Sequence, residues 1–182
     1  MSAEKINIGI IGAGENTKIR HVPGLQAIDS VEILGVCNRT AESSETVANE
    51  FGIQKIYNAW QDVILDEAID AIVIGTWPYL HAPATLLALQ HNKHVLCEAR
   101  MAKNATEAHR MLRASQEQPH LIAQIVPSPF TLPIDNVIKR ILAEEHIGKS
   151  LAIEVRDGGA FLDANAPLHW RQDFDLSGYN VM

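Results

Sequence analysis

The sequence predicts an α/β fold: a doubly wound parallel sheet, followed by the opening of a second, incomplete domain. Three observations carry this. Short apolar runs alternate with helical stretches along most of the 182 residues. A glycine-bearing loop, Gly12-Ala-Gly14, closes the first run and opens a helical stretch. The alternation breaks near Val126, at Pro127-Ser-Pro129.

Ile6 to Ile11 is apolar on both faces, as a strand buried between helix layers must be. Val31 to Cys37 repeats that pattern, and Lys55-Ile-Tyr57 is a weak third run. Ala71 to Thr76, His94 to Cys97 and Leu121 to Val126 complete six. Between them, Ser43 to Phe51 has Ser43 and Ser44 as candidate caps and Gly52 after its end. Pro83 to Gln90 starts with Pro in a first turn. Asn104 to Gln118 places Ala105, Ala108, Met111 and Leu112 on one face, and Pro119 stops it. Strands alternating with helices imply right-handed crossovers and parallel pairing. Beyond the break, Ile134, Val137, Ile138, Ile141 and Leu142 recur at helical spacing, Gly148 ends that helix, and Leu151 to Val155 reads as one more strand. These assignments divide the chain into residues 1–126 and 127–182, the second domain being truncated.

Composition narrows the function classes. A net charge of −7 and a pI near 5.6 argue against a uniformly basic nucleic-acid surface. The apolar runs are too short to cross a bilayer, and the N-terminus does not read as a signal peptide. Cys37 and Cys97 cannot form a disulfide framework and read as reduced packing thiols in the cytoplasm. His91-x-x-His94 with Cys97 has poor zinc geometry, and no metal is expected. Glu144 and Glu145 read as a solvated helix end, and Asp62, Asp66 and Glu67 as a solvated helical face.

The loop Gly12 to Thr17 carries the first chemical signal. Gly12 permits a tight turn, and Gly14 lets backbone approach a pyrophosphate at a helix N-terminus. Thr17 stands where a third glycine is usual, so the loop is also compatible with an ordinary strand-to-helix turn. An acid after the second strand would bind the ribose of NAD, but Asn38-Arg39-Thr40 stands there instead. A guanidinium pairs with a 2′-phosphate, with support from Thr40 or Ser43, which favours NADP over NAD. Arg39 could equally be a solvated loop residue beside a helix cap. Thr76, Trp77 and His81 follow the fourth strand, at the carboxyl edge where open sheets bind ligands, although His81 could also be a helix residue.

Taken in order, Ile8 to Gly14, Ile69 to Thr76 with Pro78 and His81, and Asn92 to Glu98 resemble the Gfo/Idh/MocA oxidoreductases. The resemblance implies an N-terminal Rossmann domain, a C-terminal α+β domain with an open sheet, and NADP or NAD as cofactor. It implies cofactor contacts from Gly12, Ala13, Gly14, Asn16, Thr17, Asn38, Arg39, Thr40, Ser43, Thr76, Trp77, Pro78, His81 and Glu98. Leu168 to Asp173 with Ser177-Gly178 also resembles the family, whose Trp-Arg pair touches cofactor, adding Trp170 and Arg171. Trp170 reads equally well as a core aromatic.

One departure bears on catalysis. Where the family carries Glu-Lys-Pro, this chain has Glu98-Ala99-Arg100. Ala99 cannot exchange a proton, and Arg100 is a poor acid or base, though it can hold a carboxylate or phosphate. The family's Asp and His acid/base residues would fall after Met182, so no catalytic residue is assigned. The resulting expectation is an NADP-dependent dehydrogenase acting on a sugar, cyclitol or related polyol, homo-oligomeric through its C-terminal domain, with these 182 residues inactive alone. A non-catalytic redox sensor or regulatory subunit of the same fold is the alternative, favoured by the lost lysine. A structural interaction domain is a third reading, and it leaves the ordered motifs unexplained.

Overall fold

The structure, a computed structural model, describes residues 5–127, 134–152, 154 and 167–178. Among the described residues there are six strands: β1 (Ile6–Ile11), β2 (Val31–Cys37), β3 (Lys55–Ile56), β4 (Ala71–Ile74), β5 (His94–Cys97) and β6 (Ala123–Ile125). All pair in parallel, in the order β3-β2-β1-β4-β5-β6. The order reverses between β1 and β4, which opens a crevice beyond their carboxyl ends. Ile10 lies opposite Val36 on one side and Val73 on the other, and Val73 opposite Leu96, so the centre of the sheet is one band of apolar side chains.

Period-two alternation sends these side chains to two cores. Ile8, Ile10, Ile33, Val36 and Val73 face one layer, with α1 (Val22–Gln26) and α2 (Ala41–Phe51). Ile11, Ile72, Ile74, Val95 and Cys97 face the other, with α3 (Trp60–Leu65), α4 (His81–Gln90) and α5 (Ala105–Glu117). Ile10, Val36, Ile72 and Ile74 are fully buried. Burying each such side chain contributes about 1.5–3 kcal/mol.

Several boundaries differ from those read in the sequence. Helix α2 starts at Ala41, because Thr40 rather than Ser43 or Ser44 is its cap: the Thr40 hydroxyl accepts from Ser43 N at 3.2 Å. Gly52 closes α2 in the left-handed conformation, as expected. Helix α4 starts two residues before Pro83, after a single turn over Pro78–Leu80. In α5, Asn104 is the cap, and Met111 is buried and Ala108 half-buried as expected, but Ala105 and Leu112 face solvent, and Ala114 packs against the core instead. Strands β4 and β6 are shorter than their apolar runs.

Asp66 is not part of a solvated helical face. It lies past α3, where its carboxylate accepts from Lys55 Nζ at 2.8 Å, Tyr57 Oη at 2.6 Å and Ala68 N at 2.8 Å. Lys55 and Tyr57, acting as donors, lower its pKa to about 2.

The chain divides into two compact units, residues 1–126 with 170–182, and residues 127–169. In the second, α6 (Asp135–Ala143) is amphipathic, yet Ile134, Val137, Ile138 and Leu142 are exposed. Gly148 follows with φ +67°. Of the expected strand Leu151 to Val155, Leu151, Ala152 and Glu154 are not in a strand, and Ile153 and Val155 lie outside the described residues, as do Ser128 and Pro129. In the first unit, α7 (Phe174–Ser177) is capped by Asp173, whose side chain accepts from Asp175 N.

Candidate functional site

At the carboxyl edge of β1, β2 and β4 lies a cleft of about 520 Å³, lined among others by Gly12, Ala13, Gly14, Asn38, Arg39, Thr40, Ser43, Thr76 and Trp77. Nine of the sixteen residues expected to touch a cofactor therefore share one cavity. Its floor depends on two glycines. Gly12 has φ +84°, and an added Cβ would lie 2.6 Å from Thr76 Cγ2. Gly75 faces Thr17, and a Cβ there would collide with Thr17 Oγ1 and the Gly12 carbonyl. The close helix–strand approach that a third loop glycine usually permits is thus supplied from β4's side, with Thr17 buried against Gly75. Above Gly14 the nearest atom to an added Cβ is Gly75 O at 4.0 Å, so the backbone there faces open space.

Asn38 fixes the loop. Its Oδ1 accepts from Ala13 N at 2.6 Å, and its Nδ2 donates to Ser43 Oγ at 2.8 Å and Ser43 O at 3.1 Å. Its backbone N donates to Ser44 Oγ. One side chain therefore ties the glycine loop to the first turn of α2. The next residue, Arg39, has its guanidinium 5.1 Å from the Trp77 ring centroid. Trp77 stacks on Trp170 at 5.6 Å and 15°, and the Arg171 guanidinium lies 4.3 Å from the Trp170 ring. Two cations thus bracket two stacked indoles.

A second cluster joins the start of the loop helix to the end of β5. Glu98 Oε1 accepts from Asn16 Nδ2 and meets His21 Nε2, both at 2.5 Å, and Oε2 accepts from Ala99 N at 3.1 Å. The His21 imidazole, outweighing burial, holds the Glu98 carboxyl below its usual range. His21 escaped sequence reading because it stands 77 positions from its partner. Its only signal was its place at the end of the wide helical turn Thr17–His21.

His81 is fully buried and faces protein on both sides: Nδ1 lies 2.6 Å from Arg100 O and Nε2 2.9 Å from Thr76 O. Burial pushes the imidazole pKa down, against the pull of the two carbonyls. It joins the ends of β4 and β5 from beneath rather than lining the cleft. Pro78 is also buried. The residue after Ala99 is Arg100, whose Nη2 donates to Ser177 Oγ at 2.7 Å.

The cysteines are buried and unpaired. Burial raises Cys37 and takes Cys97 up to about 12, so neither is a thiolate at neutral pH. His94 Nδ1 accepts from Ile122 N at 3.0 Å, a structural bond. Among the described residues no helix is long and apolar enough to cross a membrane. Asn58, Trp60, Gln61 and Tyr79 also line the cleft and were not singled out from sequence. They sit after the short β3 or in the Pro78–Leu80 turn, where no motif marks them.

Comparison with known proteins agrees with this geometry. The model of an oxidoreductase family with an NAD-binding Rossmann fold matches residues 6–124. Inositol 2-dehydrogenase of Salmonella typhimurium is 26% identical over 160 residues, 86% of this chain and 45% of that protein. Levoglucosan dehydrogenase of Pseudarthrobacter phenanthrenivorans is 24% identical over 191 residues, 98% of this chain and 48% of that one. The chain spans under half the length of both. Among solved structures, myo-inositol 2-dehydrogenase from Lactobacillus plantarum superposes with a TM-score of 0.67 at 26% identity, covering 80% of this chain and 43% of that one. A 3-ketoreductase from Actinomadura kijaniata in complex with NADP gives 0.67 at 23% identity, covering 80% and 46%, a likeness of fold.

Proposed function

The chain belongs to the Gfo/Idh/MocA oxidoreductase family, and on that premise we propose that its cleft binds NADP. In this reading residues 127–169 open a second domain for substrate and oligomerisation, residues 170–182 of the expected 127–182 grouping instead with the first unit, and the whole protein is a cytoplasmic dehydrogenase of a sugar, cyclitol or related polyol. The observation that carries it is the convergence of Gly12, Gly14 and Arg39 on one cleft at the β1/β4 reversal.

The residues fit the group. Gly14 leaves its backbone open to a pyrophosphate, beside first-turn N–H groups that have no intrahelical partner. Asn38 is occupied by Ala13 and Ser43, and no carboxylate stands where one would repel a 2′-phosphate. Arg39 holds its guanidinium over Trp77, at the same edge. When bound, the nicotinamide supplies the hydride chemistry. The chain's part is to hold and orient: the glycine loop takes phosphate, Arg39 the adenosine end, and Trp77 with Trp170 an apolar wall. Glu98, kept ionised by His21 and Asn16, stabilises the turn that leads to Ala99.

Ala99 offers no proton, so the group that moves one to or from the substrate oxygen lies elsewhere. That substitution favours a second reading, a non-catalytic redox sensor of the same fold. Nicotinamide absorbance during incubation of the full-length protein with a polyol panel separates them. The dehydrogenase reading expects turnover, raised in Ala99→Lys, which restores a titratable amine. Cofactor binding without turnover in either protein would transfer the assignment to the sensor.

A further inference from the structure

We propose that a second groove, walled by α3, α4 and α5, binds a small planar ligand carrying a phosphate dianion; this goes beyond the nucleotide-cleft reading and does not depend on it. The groove has a volume of about 600 Å³, within the range of small-ligand sites. Its half-buried members, Trp60, Leu86, Leu87 and Ala114, form an apolar floor, and all but Leu86 also pack against the core. Its rim is exposed and polar: Arg110 and Arg113 from α5, Gln61 from α3 and Gln90 from α4. Arg110 and Arg113 stand three positions apart, so both guanidinium groups leave one face of α5. Among the described residues neither makes an ion pair or a side-chain hydrogen bond. Glu117 lines the groove one turn beyond Arg113, and the two do not pair. Cation before carboxylate is the less favourable order at that spacing. The two cations are therefore not neutralised by their own helix, and Glu117 marks the end of the groove that repels an anion.

Like charges one helical turn apart repel, and an anion between them reverses that sign. A phosphate monoester carries a charge of about −1.5 to −2 near neutral pH, which matches two guanidinium groups, whereas a carboxylate neutralises only one. Its oxygens also suit two planar donor forks. The indole of Trp60 offers an apolar face for a ring, and the amides of Gln61 and Gln90 offer donors and acceptors for its heteroatoms. The nicotinamide cofactor is not the expected occupant. Gly12, Gly14 and Arg39 line the other cavity and not this one, and neither Arg110 nor Arg113 lines that one. The two cavities share Trp60 and Gln61 alone, so the first turn of α3 is their common wall.

Calorimetric titration tests this. Phenyl phosphate, benzoate, phenol and inorganic phosphate are titrated into the full-length protein in the presence of excess NADP, which fills the other cleft. Phenyl phosphate should bind at least about tenfold tighter than each of the other three. Arg110→Ala and Arg113→Ala should each weaken it by about fivefold or more, and Arg113→Lys, which keeps the charge without the fork, should fall between. Arg20→Ala removes an exposed cation outside the groove and should leave phenyl phosphate binding unchanged. All four positions are exposed on helices, and melting curves confirm that each variant folds. Absence of phenyl phosphate binding would overturn the proposal, as would benzoate or inorganic phosphate binding as tightly. Equal losses in Arg20→Ala and the groove variants would also overturn it, since that is non-specific attraction. Binding that NADP abolishes would overturn it too, by placing the ligand in the nucleotide cleft. Failure of NADP itself to bind is a different result: it removes the nucleotide-cleft reading and leaves the groove to be judged by the same variants.

Discussion

Replacing Asn38 with alanine removes three side-chain hydrogen bonds at once. The bond from Ala13 N at 2.6 Å counts most, because Ala13 is only 4% exposed and its N–H would be left without a partner. An orphaned buried donor costs about 1–3 kcal/mol. The two bonds to Ser43, at 2.8 and 3.1 Å, lie near solvent, and water replaces them at about 0.5 kcal/mol or less each. The expected loss of stability is therefore about 1–4 kcal/mol, or roughly 2–16 °C in Tm for a chain of this size. Urea denaturation followed by circular dichroism reads the first number and calorimetry the second. Asn38→Asp keeps the acceptor for Ala13 and loses only the donated bonds, so it should cost about 1 kcal/mol or less. NADP affinity should fall in Asn38→Ala, because the loop loses its tie to α2. A cost under about 0.5 kcal/mol in Asn38→Ala, or equal costs in the two variants, would refute the claim that Oδ1 holds the loop.

Two further predictions concern charge. Arg39→Ala should weaken NADP(H) by about 1–3 kcal/mol, the value of a charge-assisted phosphate pair, and leave NAD(H) nearly unchanged; paired titrations check it. Asp66 has its pKa lowered from 3.8 to about 2. It thus contributes stability in full above about pH 4, and that contribution is lost as pH falls through 2. Acid titration of unfolding should show a shallower slope in Asp66→Asn over that window, and identical slopes would count against the Lys55–Tyr57–Asp66 cluster.

The fold was legible because its main signals are local. The six apolar runs all became strands: β1, β2, β4 and β5 have buried residues that mark them in the sequence, whereas the short edge strands β3 and β6 are largely exposed. Gly12 was legible because only glycine suits that turn. Helix starts were less so: Thr40, Ser43 and Ser44 are chemically equivalent caps, and only the backbone conformation at Thr40 selects one. Leu112 in α5 misled because it is apolar yet exposed. In the site, nine of the residues that line the cleft followed from position after a strand, whereas Asn58, Trp60, Gln61 and Tyr79 did not. The partners of Glu98 did not, nor did the buried setting of His81, because both depend on contacts between distant segments. Asp66 was misread for the same reason: its donors, Lys55 and Tyr57, belong to another element.

The central claim is that the glycine loop is a cradle for a nicotinamide dinucleotide. Calorimetric titration of NADPH and NADH into the 182-residue chain and its Gly14→Ala variant tests it most directly. An added Cβ at Gly14 meets nothing closer than 4.0 Å, so the variant should fold with unchanged Tm. It should nonetheless lose cofactor affinity by about tenfold or more, because the methyl fills the space the pyrophosphate needs. The account predicts one NADPH per chain, bound tighter than NADH and weakened in the variant. Absence of binding by either nucleotide, or equal affinity in Gly14→Ala and the unaltered chain, would contradict it.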